Sequence, residues 1–79
     1  MTDKWTPEDG IDEMLEGIGL RFGPDQDMID MLESIIEALT FFRTNPAYYM
    51  REPQHLEPIL DAAKLRLATE RARRAGQIH

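Results

Sequence analysis

Seventy-nine residues without a cysteine allow one small domain and no disulfide, and two histidines without thiolates leave no structural zinc site. A net charge of −6 at pH 7 disfavours a chain that binds nucleic acid through its phosphates. With 42% hydrophobic and 30% charged residues the composition is that of a folded domain rather than of charged disorder.

The leading segment Met1-Thr2-Asp3-Lys4-Trp5 is polar and opens onto no apolar run. Neither a signal peptide nor a membrane span is expected, so the chain reads as cytoplasmic, a single domain over 1–79 with frayed ends at 1–5 and 77–79. The first helix is predicted over about 7–22. Thr6-Pro7-Glu8-Asp9 supplies an N-cap hydroxyl, a proline at the first helical position and acids in the first turn. Ile11, Met14, Leu15, Ile18 and Phe22 then recur on one face, and Gly23-Pro24 closes the segment. Gly10, Gly17 and Gly19 each weaken this helix by up to about 1 kcal/mol relative to alanine, which makes it the least stable of the set.

The second helix is predicted over about 25–44, capped by Asp25 and stopped by Asn45-Pro46. Met28, Leu32, Ile35, Leu39 and Phe42 are spaced 4-3-4-3, the seam of a helix packed nearly antiparallel to its neighbours. A short turn follows at about 46–50, then an irregular link bracketed by Pro53 and Pro58. The last helix is predicted over about 57–75, opened by Glu57-Pro58 and closed by Gly76, with Leu56, Ile59, Leu60, Ala63 and Leu67 on its core face. No strand-like alternation of any length occurs. The expected fold is all-α, a small bundle of three main helices with a short extra turn between the second and the last.

Charge is distributed unevenly along this bundle. Residues 1–40 hold eleven acids against Lys4 and Arg21, whereas residues 41–79 hold four acids against seven bases. On helical wheels Asp9, Glu13 and Glu16 lie opposite the apolar stripe of the first helix, and Asp30, Glu33 and Glu37 opposite that of the second. Such rows are either a solubilising face or a surface for a basic partner. A third possibility is pairing across the bundle with Lys64, Arg66, Arg71, Arg73 and Arg74 of the last helix, at about 0–1 kcal/mol per exposed pair.

Phe41-Phe42-Arg43 and Tyr48-Tyr49-Met50-Arg51 gather four of the six aromatic residues within ten positions. Phe42 belongs to the seam, while Phe41 points toward the side of Glu37. Phe41, Tyr48 and Tyr49 are therefore either an interface anchor beside carboxylates or a satellite cluster under the link. Leu65, Ala68 and Ala72 form a second, weak stripe on the last helix that would suit a homodimer contact.

Catalytic arrangements are missing. One serine, no cysteine and two histidines 24 positions apart give no legible nucleophile–base pair. Asp25-Gln26-Asp27 lacks the glycine of a calcium loop, and Glu13 and Glu16 have no histidine at di-metal spacing. Gly17-Ile18-Gly19 has no strand before it, as a phosphate loop requires. No catalytic, metal-ligating or cofactor-binding residue is assigned, no cofactor is expected, and the chain reads as a non-enzyme.

About eighty residues, no cysteine, helical patterning, acids in rows and no catalytic set together give a chain that resembles the small acidic inhibitors encoded by phages and mobile elements, anti-CRISPR proteins above all. Antitoxins and phage assembly chaperones share these whole-chain features. The resemblance implies an inhibitor that occupies a basic protein surface and blocks nucleic-acid access, with a type I CRISPR surveillance complex as the implied partner. Glu13, Glu16, Asp30, Glu33 and Glu37 would supply attraction, and Phe41 with Tyr48 or Tyr49 the desolvated anchor. The competing expectation is a helical assembly adaptor whose apolar faces complete a partner's core.

Overall fold

Three helices carry the fold, as seen in a computed structural model that describes residues 4–76: α1 (Pro7–Phe22), α2 (Met28–Thr44) and α3 (Leu56–Gly76). Single 3₁₀ turns at Pro46–Tyr48 and Pro53–His55 lie between α2 and α3. The described residues contain no strand. Among the described residues no helix is long and apolar enough to cross a membrane. The expected fraying of Gln77, Ile78 and His79 concerns residues outside those described.

The ends of α1 follow the sequence signals closely. Thr6 Oγ1 accepts from the Asp9 backbone N–H at 3.3 Å while the Asp9 carboxylate accepts from the Thr6 N–H at 3.1 Å, a reciprocal capping box. Gly23, at φ 96°, leaves the helix and donates back to the Gly19 carbonyl at 2.9 Å, a conformation that favours glycine. At α2 the expectation was off by three residues. The cap is Asp27, whose side chain accepts from the Asp30 N–H at 3.3 Å, and the helix begins at Met28 rather than near Asp25. Both aspartates are competent caps, and only the placement of the turn after Pro24 selects between them. The link is also more regular than expected, since Pro53 starts a second 3₁₀ turn that leads directly into α3 at Leu56.

Ile11, Leu32, Ile35, Leu39, Leu56, Ile59, Leu60, Ala63 and Leu67 form one core, with Ile11, Leu32, Leu39, Leu60 and Ala63 wholly removed from solvent. Every one of these lay on a predicted apolar face. α3 is the hub: it packs along both α1 and α2, whereas α1 and α2 meet over a much shorter stretch. Phe22 departs from expectation. Although it continues the α1 stripe, it is 63% exposed and borders open recesses between α1 and α2. Beyond Leu67, α3 has no buried residue, and its last turns are tied to the start of α2 by ion pairs instead.

Trp5, expected to fray, lies flat on His55 with ring centroids 3.6 Å apart and planes 7° from parallel. Fifty positions separate the two rings, so no local pattern could announce the stack. Trp5 and Ile59 together enclose Gly10, where an added Cβ would stand 2.6 Å from Ile59 Cδ1. The three glycines of α1 are thus not equivalent. At Gly17 and Gly19 a Cβ meets nothing within 4 Å. Gly17→Ala and Gly19→Ala should each stabilise the fold by roughly 0.5–1 kcal/mol through helix propensity alone. Thermal melts followed by circular dichroism check this, and a lowered midpoint in either variant would contradict it.

Candidate protein-binding face

The acidic rows do not remain intact, because the folded chain brings its own arginines to part of them. From α3, Arg66 reaches Asp12 at 3.2 Å and Glu8 at 3.6 Å on α1. Arg71 pairs with Glu33, and Arg74 grips Asp27 at 2.6 Å, both on α2 or its cap. Arg51, from the segment between the 3₁₀ turns, reaches Glu13 at 2.5 Å. Arg43 pairs with Glu57 at 3.2 Å, and Arg73 with Glu70 along α3. Two of the five acids expected to attract a partner, Glu13 and Glu33, therefore have intramolecular cations, and the alternative of pairing across the bundle holds for Arg66, Arg71 and Arg74 of α3. The physical reason is simple: the neutralising bases are far off in sequence and come alongside only when α3 packs.

Glu16, Asp30 and Glu37 make no ion pair among the described residues. Asp30 lies within the field of Arg74, whose guanidinium is committed to Asp27. That hydrogen bond holds the Asp27 carboxyl below its ordinary range and raises Arg74. The pairs between elements are substantially exposed, so their contribution to stability is small; their effect is to decide which acids keep their charge available. Of the unpaired acids, Asp30 and Glu37 share one face of α2 with Phe41, and Glu16 lies one turn from Asp12 on α1.

Between α1 and α2 runs an open groove of about 510 Å³ with no α3 residue in its lining. Met14, Ile18 and Phe22 form one wall, and Ile35, Ala38 and Phe42 the other. Smaller recesses continue it past Asp30 and Met31 at one end and past Glu37 and Phe41 at the other. Ser34 borders all three recesses. Sequence reasoning missed this groove, since both walls belong to stripes that read as core. The signal available was the excess width of those stripes relative to what three short helices can cover.

The aromatic candidates divide. Phe41 is 50% exposed and Tyr48 65% exposed, their rings 5.8 Å apart, so they are an exposed pair at the groove's end and not a covered cluster. Tyr49 is half-buried against Phe42, with ring centroids 5.5 Å apart. Burial pushes the Tyr49 hydroxyl's pKa up, and Arg51 and Glu13 act on it in opposite senses. Tyr49 thus supports the groove wall through Phe42 and is a poor anchor for a partner. Leu65, Ala68 and Ala72 are exposed on the outer face of α3, where Leu65 is the single large apolar side chain of that stripe.

His55, the remaining polar group of the link, stands 3.4 Å from Glu52 beneath the Trp5 ring. Among the described residues no three His, Asp or Glu side chains gather as metal ligands would. No protein-family model, curated protein or solved structure matches the chain.

Proposed function

We propose that this chain is a small acidic protein-binding inhibitor that occupies a basic surface of a nucleic-acid-binding defence complex through the α1/α2 face. The observation that carries the reading is the uneven neutralisation of its acids. Four arginines of α3 and the link pair with Glu8, Asp12, Glu13, Asp27 and Glu33, while Asp30 and Glu37 keep their charge along one face of α2 that also carries exposed Phe41, with Tyr48 against it. A solubilising surface has no need of aromatic side chains set among its charges; an interface that combines attraction with desolvated anchors does. The implied target, on whole-chain resemblance, is a type I CRISPR surveillance complex. Blocking is steric and electrostatic, and no chemical step is required.

Binding of labelled duplex target to such a purified complex, with and without this chain, tests the proposal. Inhibition is expected with the native sequence. In the Asp30→Lys/Glu37→Lys variant the association rate should fall about tenfold or more at low salt, and the difference should shrink near ~0.5 M salt as screening shortens the reach of the charges. Equal inhibition by the variant removes the electrostatic half of the proposal, and absence of inhibition by the native chain removes the target. The adaptor reading draws its support from the apolar groove. It predicts affinity nearly independent of salt and a marked rise in melting temperature on adding the partner.

A further inference from the structure

The geometry points to a specific occupant for the α1/α2 groove: a basic amphipathic helix contributed by another protein, laid in as the fourth member of the bundle. The inference rests on the acidic-binder reading and deepens it by naming the part of the partner that is gripped. Three observations converge on it. α3 fills one side of the α1/α2 pair, and the opposite side is left as an open apolar channel floored by Met14, Ile18, Ile35, Ala38 and Phe42. Two helices that flank such a channel present the ridges and the seat that a further helix fills. Their backbone groups are satisfied within the helices, so an added strand would find no edge to pair with.

Length agrees with this. From Met31 to Phe42 the α2 wall runs about 16 Å at 1.5 Å per residue, three turns of a docked helix. The occupant would bury apolar side chains at positions i, i+3 or i+4, and i+7.

Charge selects its polar flanks. Asp30 and Glu37 border the recesses at the two ends of the α2 wall without ion pairs, and Glu16 lies on α1 outside the floor. Among the groove's own cations, Arg51 is held by Glu13, which leaves Arg21 near the α1 terminus as the one lining base without a carboxylate partner among the described residues. Lys or Arg on the flank of the occupant that lies over α2 complements Asp30 and Glu37, where an acidic helix meets repulsion, while the flank beside Arg21 on α1 is best left uncharged. A second copy of the chain is a poorer fit, because its exposed α3 face offers a single leucine among alanines.

The probes are a synthetic 18-residue Leu/Lys peptide of amphipathic design, a scrambled peptide of the same composition, and a Leu/Glu counterpart. Binding is read by fluorescence anisotropy, and location by amide chemical-shift changes. The native chain should bind the amphipathic Leu/Lys peptide at least tenfold tighter than either control, with shifts centred on Ile18, Ser34 and Ala38. Gly17→Gln/Ala38→Gln puts uncharged bulk into the groove at two exposed positions without altering net charge. It should lose at least tenfold in affinity while its melting curve shows a folded chain.

Equal binding of the scrambled peptide, or undiminished binding by the filled-groove variant, overturns the inference. So does sedimentation showing a native dimer that the filled-groove variant dissociates, since a second copy would then hold the groove. Peptide binding without inhibition of the surveillance complex sinks only the proposed target. Inhibition without peptide binding sinks only the helix-in-groove inference.

Discussion

Replacing Leu60 with alanine is expected to be the most damaging single truncation of the core, lowering the chain's stability by about 2–5 kcal/mol. Leu60 sits on the inner face of α3, wholly buried at the hub to which α1 and α2 both attach. Truncating such a leucine costs about 2–5 kcal/mol, the lost transfer energy plus a cavity that close packing cannot collapse. Domains hold roughly 0.05–0.15 kcal/mol of stability per residue, so a chain this small has about 4–12 kcal/mol in all. The loss thus consumes a large share of the whole. Urea titration followed at 222 nm should show a strongly lowered midpoint with the slope preserved. Leu60→Met, which conserves volume, should cost less than about 1.5 kcal/mol. A loss below about 1 kcal/mol for Leu60→Ala would mean that the site relaxes around the cavity.

Gly10→Ala is expected to destabilise the same helix that Gly17→Ala stabilises. The new methyl would stand 2.6 and 2.8 Å from Ile59 Cδ1 and Cγ1, with the Trp5 ring 3.5 Å away on another side. Ile59 is 3% exposed and packed in the core, so its side chain cannot swing clear without disturbing its neighbours. Overpacking of that kind costs about 1–3 kcal/mol, against a gain of at most about 1 kcal/mol from replacing glycine in a helix. The balance is a net loss, and Gly10→Val should be worse. Ile59→Val removes the nearest atom, so the double variant Gly10→Ala/Ile59→Val should be more stable than the sum of its single changes implies. Strict additivity would show that the close approach to Ile59 is not what Gly10 provides.

Gly10 also illustrates how far local reading reaches. Helix propensity treats Gly10, Gly17 and Gly19 alike, because each costs the isolated helix the same backbone entropy. Their difference lies in what stands opposite, and Ile59 is 49 positions away. The capping box at Thr6 and Asp9 and the stop at Gly23 were legible because every participant lies within one turn of the others. The stripes likewise identified every core residue, since a 3.6-residue period is imposed by the helix itself. They overreached at Phe22, because a stripe records which face is apolar and not where the covering helix ends. In the same way Met14, Ile18, Ile35 and Phe42 read as interior although they also wall an open groove.

The candidate face was half legible. Periodicity placed Glu16, Asp30 and Glu37 opposite the core stripes, and Phe41 beside Glu37. It offered pairing with the bases of the last helix as one possibility but could not say that Arg71 would meet Glu33 or that Arg51 would meet Glu13, because ion pairs between separate elements depend on their mutual rotation. The amino-acid sequence by itself determined three helices, nearly all their ends, and the apolar residues that hold them together, since caps, breakers and helical period act over a few residues. Tertiary packing alone decided which carboxylates kept their charge, where an apolar channel stayed uncovered, and why Gly10 must be glycine. Each of these depends on distances between atoms that are close in space and remote along the chain.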